Sequence, residues 1–328
     1  MILAGDIGGT HTRLALFHRL GELRVLEFET YASREASSLE EIVQRFISSK
    51  RPAISIASFA IAGPIRQGVC QTTNLPWEIH AESLRKAFQI SSVHLYNDLQ
   101  AHANGLKVLQ SEELYILQKG KRQVGNQAFI SAGTGLGEAG LFWNGTKHFP
   151  FASEGGHVDF APRNTLEIEL FQTLQTIYGH VSYERLVSGP GIYQIYQFLA
   201  DTKRIHCPSA MQEAVKHEDP SRVISEYGLL HKDPGCIQAL HLFLSLYGGE
   251  AGNMALKLLA LGGVFIGGGI ALRLLELFKE SPFLLSFRDK GRFQELLTSI
   301  PIYIVLNEQT ALLGAALFGR DELCSNTQ

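Results

Sequence analysis

Two short glycine–threonine turns, each set between apolar runs, constrain this 328-residue chain more than any other feature. The first, Asp6-Ile7-Gly8-Gly9-Thr10, separates Ile2-Leu3-Ala4 from Leu14-Ala15-Leu16-Phe17. The second, Gly133-Thr134-Gly135-Leu136-Gly137, separates Ala128-Phe129-Ile130 from Leu141-Phe142-Trp143. Short apolar runs bounded by glycine read as strands, so each turn joins two strands. Glycine lets backbone N–H groups approach an anion, and threonine adds a hydroxyl donor, so each turn suits phosphate oxygens. Two such turns match the two ends of a triphosphate, which makes phosphoryl transfer the leading chemistry.

Other nucleotide motifs fail. Gly135-x-Gly137-x-x-Gly140 has dinucleotide-fingerprint spacing, and Glu154 lies about 20 residues on, as that fingerprint asks. The fingerprint needs a helix to open at its glycines. Here a second strand follows and ends at Asn144-Gly145, a hairpin signal. No Walker G-x-x-x-x-G-K-[ST] occurs. Net charge is −3, and no Lys/Arg run recurs on one side of an expected helix, so no nucleic-acid partner is expected. Cys70, Cys207, Cys236 and Cys324 are scattered with no C-x-x-C pair, which reads as reduced thiols of a cytosolic protein. The apolar stretch 258–272 is short for a bilayer span and holds five glycines, and residues 1–6 lack a basic leader. The expectation is a soluble, cytoplasmic protein with no membrane partner.

At this length two domains are the prior, and 45% hydrophobic with 19% charged residues suits a folded enzyme. Strands are expected over 1–18, 23–31, 54–62 and 92–96, with helices over 38–49, 81–88 and 99–108. Residues 128–143 repeat the N-terminal hairpin and open a second copy of the same layout. Helices then dominate, over 167–178, 189–199, 209–215, 236–261, 270–279 and 309–318, with strands at 264–266 and 302–306. This is a mixed α/β chain.

Polar groups gather at the ends of these strands. Asp6 places a carboxylate just before the first turn's donors, where Mg²⁺ bridging phosphates would sit, directly or through water; the plainer reading is an acidic hairpin. Asn97-Asp98 closes a strand, where catalytic groups collect in α/β sheets. Asp98 can accept a proton from a substrate hydroxyl, and the pair can equally cap the next helix. Glu154-Gly155-Gly156-His157-Val158-Asp159 reads as half a metal site, as a charged turn, or as hydrogen-bonding groups for a polyhydroxylated ligand. No further His or Cys at zinc spacing supports the first. Glu184, before Ser188-Gly189-Pro190-Gly191, reads on its own as an exposed helix acid. Gly262-Gly263 and Gly267-Gly268-Gly269 permit either close packing or a flat ring against backbone.

Taken in order, D-I-G-G-T-H-T-R, A-G-P, T-N-L-P-W, N-D, S-A-G-T-G-L-G, E-G-G-H-V-D-F, S-G-P-G and G-G-V-F-I-G-G-G-I resemble the bacterial ATP-dependent glucokinases over nearly the whole chain. The resemblance implies two ribonuclease H-like (actin-like ATPase) α/β domains with an active-site cleft between them. Residues 1–100 plus 307–328 would form the small domain and 101–306 the large one. It implies that Asn74, Asn97, Asp98, Glu154, His157 and Glu184 hold D-glucose, with Asp98 the base for its 6-hydroxyl. Gly8, Gly9, Thr10, Gly133, Thr134 and Gly135 would take ATP phosphates, Gly268 and Gly269 would border the adenosine, and Asp6 would position Mg²⁺. A homodimer is the state the family implies. The related repressor–kinases carry a zinc-binding cysteine motif after E-x-G-H; those cysteines are absent here, which favours His157 as a sugar contact. Rival readings are a kinase of another hexose, a non-catalytic sugar-responsive regulator, and an actin-like assembly or chaperone ATPase. No function is assigned to residues 203–235.

Overall fold

In the computed structural model, residues 1–18, 21, 23–48 and 53–325 are described; the expected helix end at Ser49 and residues 326–328 lie outside them. The strands are β1 (Ile2–Ile7), β2 (His11–Phe17), β3 (Val25–Ala32), β4 (Ile56–Ile61), β5 (Ile65–Arg66), β6 (Val69–Gln71), β7 (Glu78–His80), β8 (Ser92–Asn97), β9 (Leu114–Gln118), β10 (Gln127–Ala132), β11 (Leu136–Trp143), β12 (His148–Ser153), β13 (Gly263–Gly267) and β14 (Ile302–Val305). The helices are α1 (Leu39–Ser48), α2 (Ala81–Phe88), α3 (Asp98–Gly105), α4 (Thr165–Tyr178), α5 (Gly189–Asp201), α6 (Ser209–His217), α7 (Pro220–Leu229), α8 (Pro234–Leu258), α9 (Gly269–Arg273), α10 (Leu275–Glu280), α11 (Phe283–Arg288), α12 (Gln294–Ser299) and α13 (Thr310–Ser325).

The chain separates into two units: Met1–Ser111 with Phe149–Ala152 and Asn307–Gln328, and Glu112–His148 with Ser153–Leu306. In the first, the sheet order is β3-β2-β1-β4-β8. β1 pairs antiparallel with β2 and parallel with β4, and β4 pairs parallel with β8. β1 and β4 bury both faces and read as continuous apolar runs, as strands covered on both sides must. One face packs on α1 and α2 through Leu39, Ile42, Phe46 and Leu84. The other packs on α3 and α13 through Ala101, Ala311, Leu312 and Ala315. A small sheet, β5-β6-β7, hangs off the C-terminal end of β4.

The second sheet has the order β12-β11-β10-β13-β14-β9 and repeats the pattern: β10 pairs antiparallel with β11 and parallel with β13, which is parallel to β14. The turn expected at Asn144-Gly145 is present, with Asn144 Oδ1 accepting from the N–H groups of Thr146 and Lys147, both at 2.9 Å. β11 therefore continues as a strand where a dinucleotide fold would start a helix. Its core is aromatic and lies around α8: Tyr247, Phe243, Phe278, Phe283 and Phe287 are fully buried.

Several expectations are corrected. The helix expected over 270–279 breaks into α9 and α10 at Leu274, whose φ/ψ of −95°/11° leaves the helical region. β9, the β5–β7 sheet, α7, α11 and α12 were not anticipated. Within 203–235 the helix expected over 209–215 is present as α6, and α7 follows it, capped by Asp219 accepting from Ser221 N–H. Among the described residues no helix is long and apolar enough to cross a membrane.

Candidate active site

Within the first unit, three parallel strands deliver the motifs to one edge. β1, β4 and β8 end together, with Ile7 opposite Ile61 and Ile61 opposite Asn97. Past those ends come Gly8-Gly9-Thr10, Gly63 and Asp98. This C-terminal edge of a parallel sheet is where α/β proteins bind ligands. Gly9 is pressed against Asn74: a Cβ on it would lie 2.6 Å from the Asn74 Cβ. Thr73 N–H reaches Ala62 O, and Asn97 Nδ2 donates to Gly63 O at 3.5 Å. The residues 8–10, 74 and 97–98 thus share one neighbourhood.

Asn97 and Asp98 divide the two local tasks. Asn97 is the N-cap of α3, its Oδ1 accepting from Leu99 and Gln100 N–H. Asp98 opens the helix, and its Oδ1 accepts from Leu99 N–H at 2.9 Å, which fixes the direction of the carboxylate. Asp98 also faces Cys70, whose thiol is pushed up by burial and by that negative charge. Asp6 Oδ2 accepts from Arg13 Nη1 at 3.1 Å across the β1–β2 ladder, a partner to which sequence reading gave no role.

In the second unit, β10 ends at the turn 133–135, where Gly133 N–H donates to Gly135 O and Gly133 O accepts from Gly189 N–H at the start of α5, both at 2.8 Å. Gly268, at φ +89°, sits against the same strand end; a Cβ there would meet Ser131 Oγ at 2.6 Å and Ala132 O at 2.7 Å. Gly268 therefore borders the strand end that leads into the 133–135 turn, and Gly269, which follows it, opens α9 with no neighbour within 4 Å of a Cβ placed there.

Glu184 departs from its local reading as an exposed acid. It lies in the 3-10 turn Tyr183–Arg185, partly buried, and Oε2 accepts from Leu136 N–H at 3.0 Å. That oxygen sits directly over Gly135. Its other oxygen, Oε1, is 3.8 Å from His157 Nδ1. Glu154 precedes and His157 closes the 3-10 turn Gly155–His157, with solvent-facing side chains whose Oε2 and Nε2 are 4.0 Å apart. Gly156 packs on Leu136, its Cα so close that a Cβ would stand 2.1 Å from Leu136 O. Thus 133–137, 154–157 and Glu184 form one cluster within the second unit, with Glu184 joining the 133–137 turn to the 155–157 turn. The spacing of Glu184 from either motif carries no signal of this, since the pairing is made by the fold.

Known proteins resemble the chain over nearly its whole length. The glucokinase family profile matches residues 3–322. A glucokinase of Nostoc punctiforme is 43% identical over 97% of this chain and 98% of its own. The crystal structure of a glucokinase from an Antarctic psychrotroph superposes with a TM-score of 0.85 at 31% identity, covering 98% of each chain. A glucokinase of the ROK family from Streptomyces griseus, solved with glucose and AMPPNP, shares the fold at a TM-score of 0.64 and 18% identity, covering 98% of this chain and 99% of its own. With two ribonuclease H-like α/β units of the actin-like ATPase type and a full-length match, the chain belongs to the glucokinase family and is an ATP-dependent sugar kinase.

Proposed function

We propose that the reaction is transfer of the γ-phosphoryl group of ATP to the 6-hydroxyl of D-glucose, giving glucose 6-phosphate and ADP. The observation that carries this reading is Glu184, one carboxylate bonded to the 133–137 turn and adjacent to His157. Such a group couples a phosphate-binding turn to a cluster suited to vicinal hydroxyls. Asn74, Asn97, Glu154, His157 and Glu184 hold the hexose. Asp98 takes the proton of the 6-hydroxyl as that oxygen bonds to phosphorus and the bond to the ADP oxygen breaks. The N–H groups of Gly8 to Thr10 and Gly133 to Gly135, with the two threonine hydroxyls, stabilise the negative charge on the phosphates. Gly268 and Gly269 lie beside the adenosine.

Mg²⁺ fits the donor set. Asp6 Oδ2 is held by Arg13, and Oδ1 has no protein hydrogen bond among the described residues. A single carboxylate suits an ion that keeps waters and takes its remaining ligands from phosphates. When bound, Mg²⁺ supplies charge neutralisation at the phosphates. On the same reading the enzyme acts in the cytoplasm, at the entry to glycolysis, as a homodimer. A coupled assay over a panel of hexoses, with ATP, ADP and polyphosphate as donors, tests this. Glucose with ATP should give the highest kcat/KM, and a clear preference for mannose, fructose or an N-acetylhexosamine would replace the substrate.

A further inference from the structure

Beneath the 154–157 turn lies a carboxyl group that the proposed reaction does not use. Glu138, on β11, is 4% exposed in the interior of the second unit. Its Oε2 lies so near Gly155 that a Cβ on that glycine would stand 2.0 Å away. Its Oε1 is buried with no hydrogen-bond partner. The charged and titratable groups facing it come from α8. Glu250, wholly buried, bonds Lys257 Nζ at 3.2 Å and Asn253 Nδ2 at 2.8 Å, and the phenol of Tyr247 lies nearby. Asn253 Nδ2 also donates to the hydroxyl of Tyr183, the residue before Glu184. On the turn itself, Glu154 and His157 point to solvent. A chain of bonds from Tyr183 through Asn253 to Glu250 thus underlies the Glu184 turn, while Glu138, within reach of the Glu250 charge, lies against the Gly155 turn.

We propose that Glu138 is a positioning residue for the sugar-binding turn, holding Gly155–His157 in place only while its carboxyl is uncharged. The inference rests on the reading that Glu154 and His157 bind the hexose. A neutral carboxyl can lie against the Gly155 backbone with no charge to solvate. An ionised one is repelled by Glu250 and has no donor at Oε1, so it seeks water, and Gly155 is the backbone it presses on. Burial first, and then the charge of Glu250, push the Glu138 carboxyl up to about 8, while Lys257 pulls it the other way. Ionisation therefore falls just above neutrality.

The experiment is KM for glucose and kcat across the neutral to alkaline range for the wild-type protein, Glu138→Gln and Glu138→Ala. In the wild type, KM should stand about tenfold above its low-pH plateau one pH unit past that titration, with kcat changing less than threefold. Glu138→Gln, a neutral isostere, should keep the neutral-pH KM and abolish the rise. Glu138→Ala, lacking the buttress, should raise KM at every pH. A KM that stays flat in the wild type, a rise that survives in Glu138→Gln, or a Glu138→Gln protein that cannot fold at neutral pH would each overturn the inference. A protein that phosphorylates no hexose would instead refute the proposed function, whereas glucose phosphorylation with a KM indifferent to residue 138 would leave that function standing.

Discussion

At Asp98 the helix-opening position and the Leu99 N–H bond leave the carboxylate aimed by the backbone itself. Asp98→Asn keeps that size and can keep that contact while losing the basic oxygen. It should lower kcat by roughly 10²–10⁴-fold, the usual worth of a general base, with glucose affinity little changed; near-normal turnover would remove Asp98 from the chemistry. Glu184→Gln should act differently, because its carboxylate serves both clusters. Glutamine still offers an acceptor to Leu136 N–H but loses the charge assistance, worth about 1 kcal/mol, so KM for both glucose and ATP should rise roughly fivefold. Steady-state kinetics with each substrate varied would show whether the two move together. Stability carries a further signature of Glu138. Its carboxyl rises from 4.5 to about 8 on folding, so the stability present below pH 4.5 is lost as pH climbs towards 8. Glu138→Gln should therefore melt higher than wild type at pH 8 and no higher at pH 4, as calorimetry at the two pH values would register.

Among the elements, the contact of α3 with α13 is the tightest helix pairing that bears on the site. A Cβ on Gly314 would lie 1.8 Å from Ala101 O, and one on Gly105 would lie 2.1 Å from Thr310 O. Both obstacles are backbone, so they cannot swing aside. Gly314→Ala should destabilise the first unit by about 1–3 kcal/mol through overpacking, measured by urea unfolding, and should lower kcat by disturbing the helix that starts at Asp98. Such contacts explain what a single sequence reveals and what it hides. The two glycine hairpins, β4, β8 and α2 were legible because their apolar runs or helical spacing are long and sharply punctuated. β5, β6 and β7 have only two or three residues each, too few for a period to register. α8 was legible in spite of Gly248 and Gly252, which are there because Phe283 O and Phe287 O of α11 pack against them. α11 and α12, at six residues each, gave no signal of their own. In the site, Asn97 and Asp98 could be placed at a strand end from their spacing, whereas the bond from Leu136 N–H to Glu184 joins residues 48 apart and no spacing anticipates it.

For the molecule as a whole, the first unit is assembled from three separate stretches of chain. Its sheet is completed by residue 97, yet Ile2, Ala4, Ala15, Phe17, Ile56 and Ala60 are buried with α13 residues among their neighbours. Deleting residues 307–328 should leave that face bare. The expected result is an aggregating protein with no sugar kinase activity, while the second unit keeps its own secondary structure by circular dichroism. A soluble, active truncation would show that α13 is dispensable. The order of synthesis gives this dependence a timing. Asp98 is made early, but the helix it heads waits for α13, which is synthesised only after the whole second unit. A nascent chain therefore carries both glycine turns long before Asp98 is firmly seated, which delays turnover until α13 has docked.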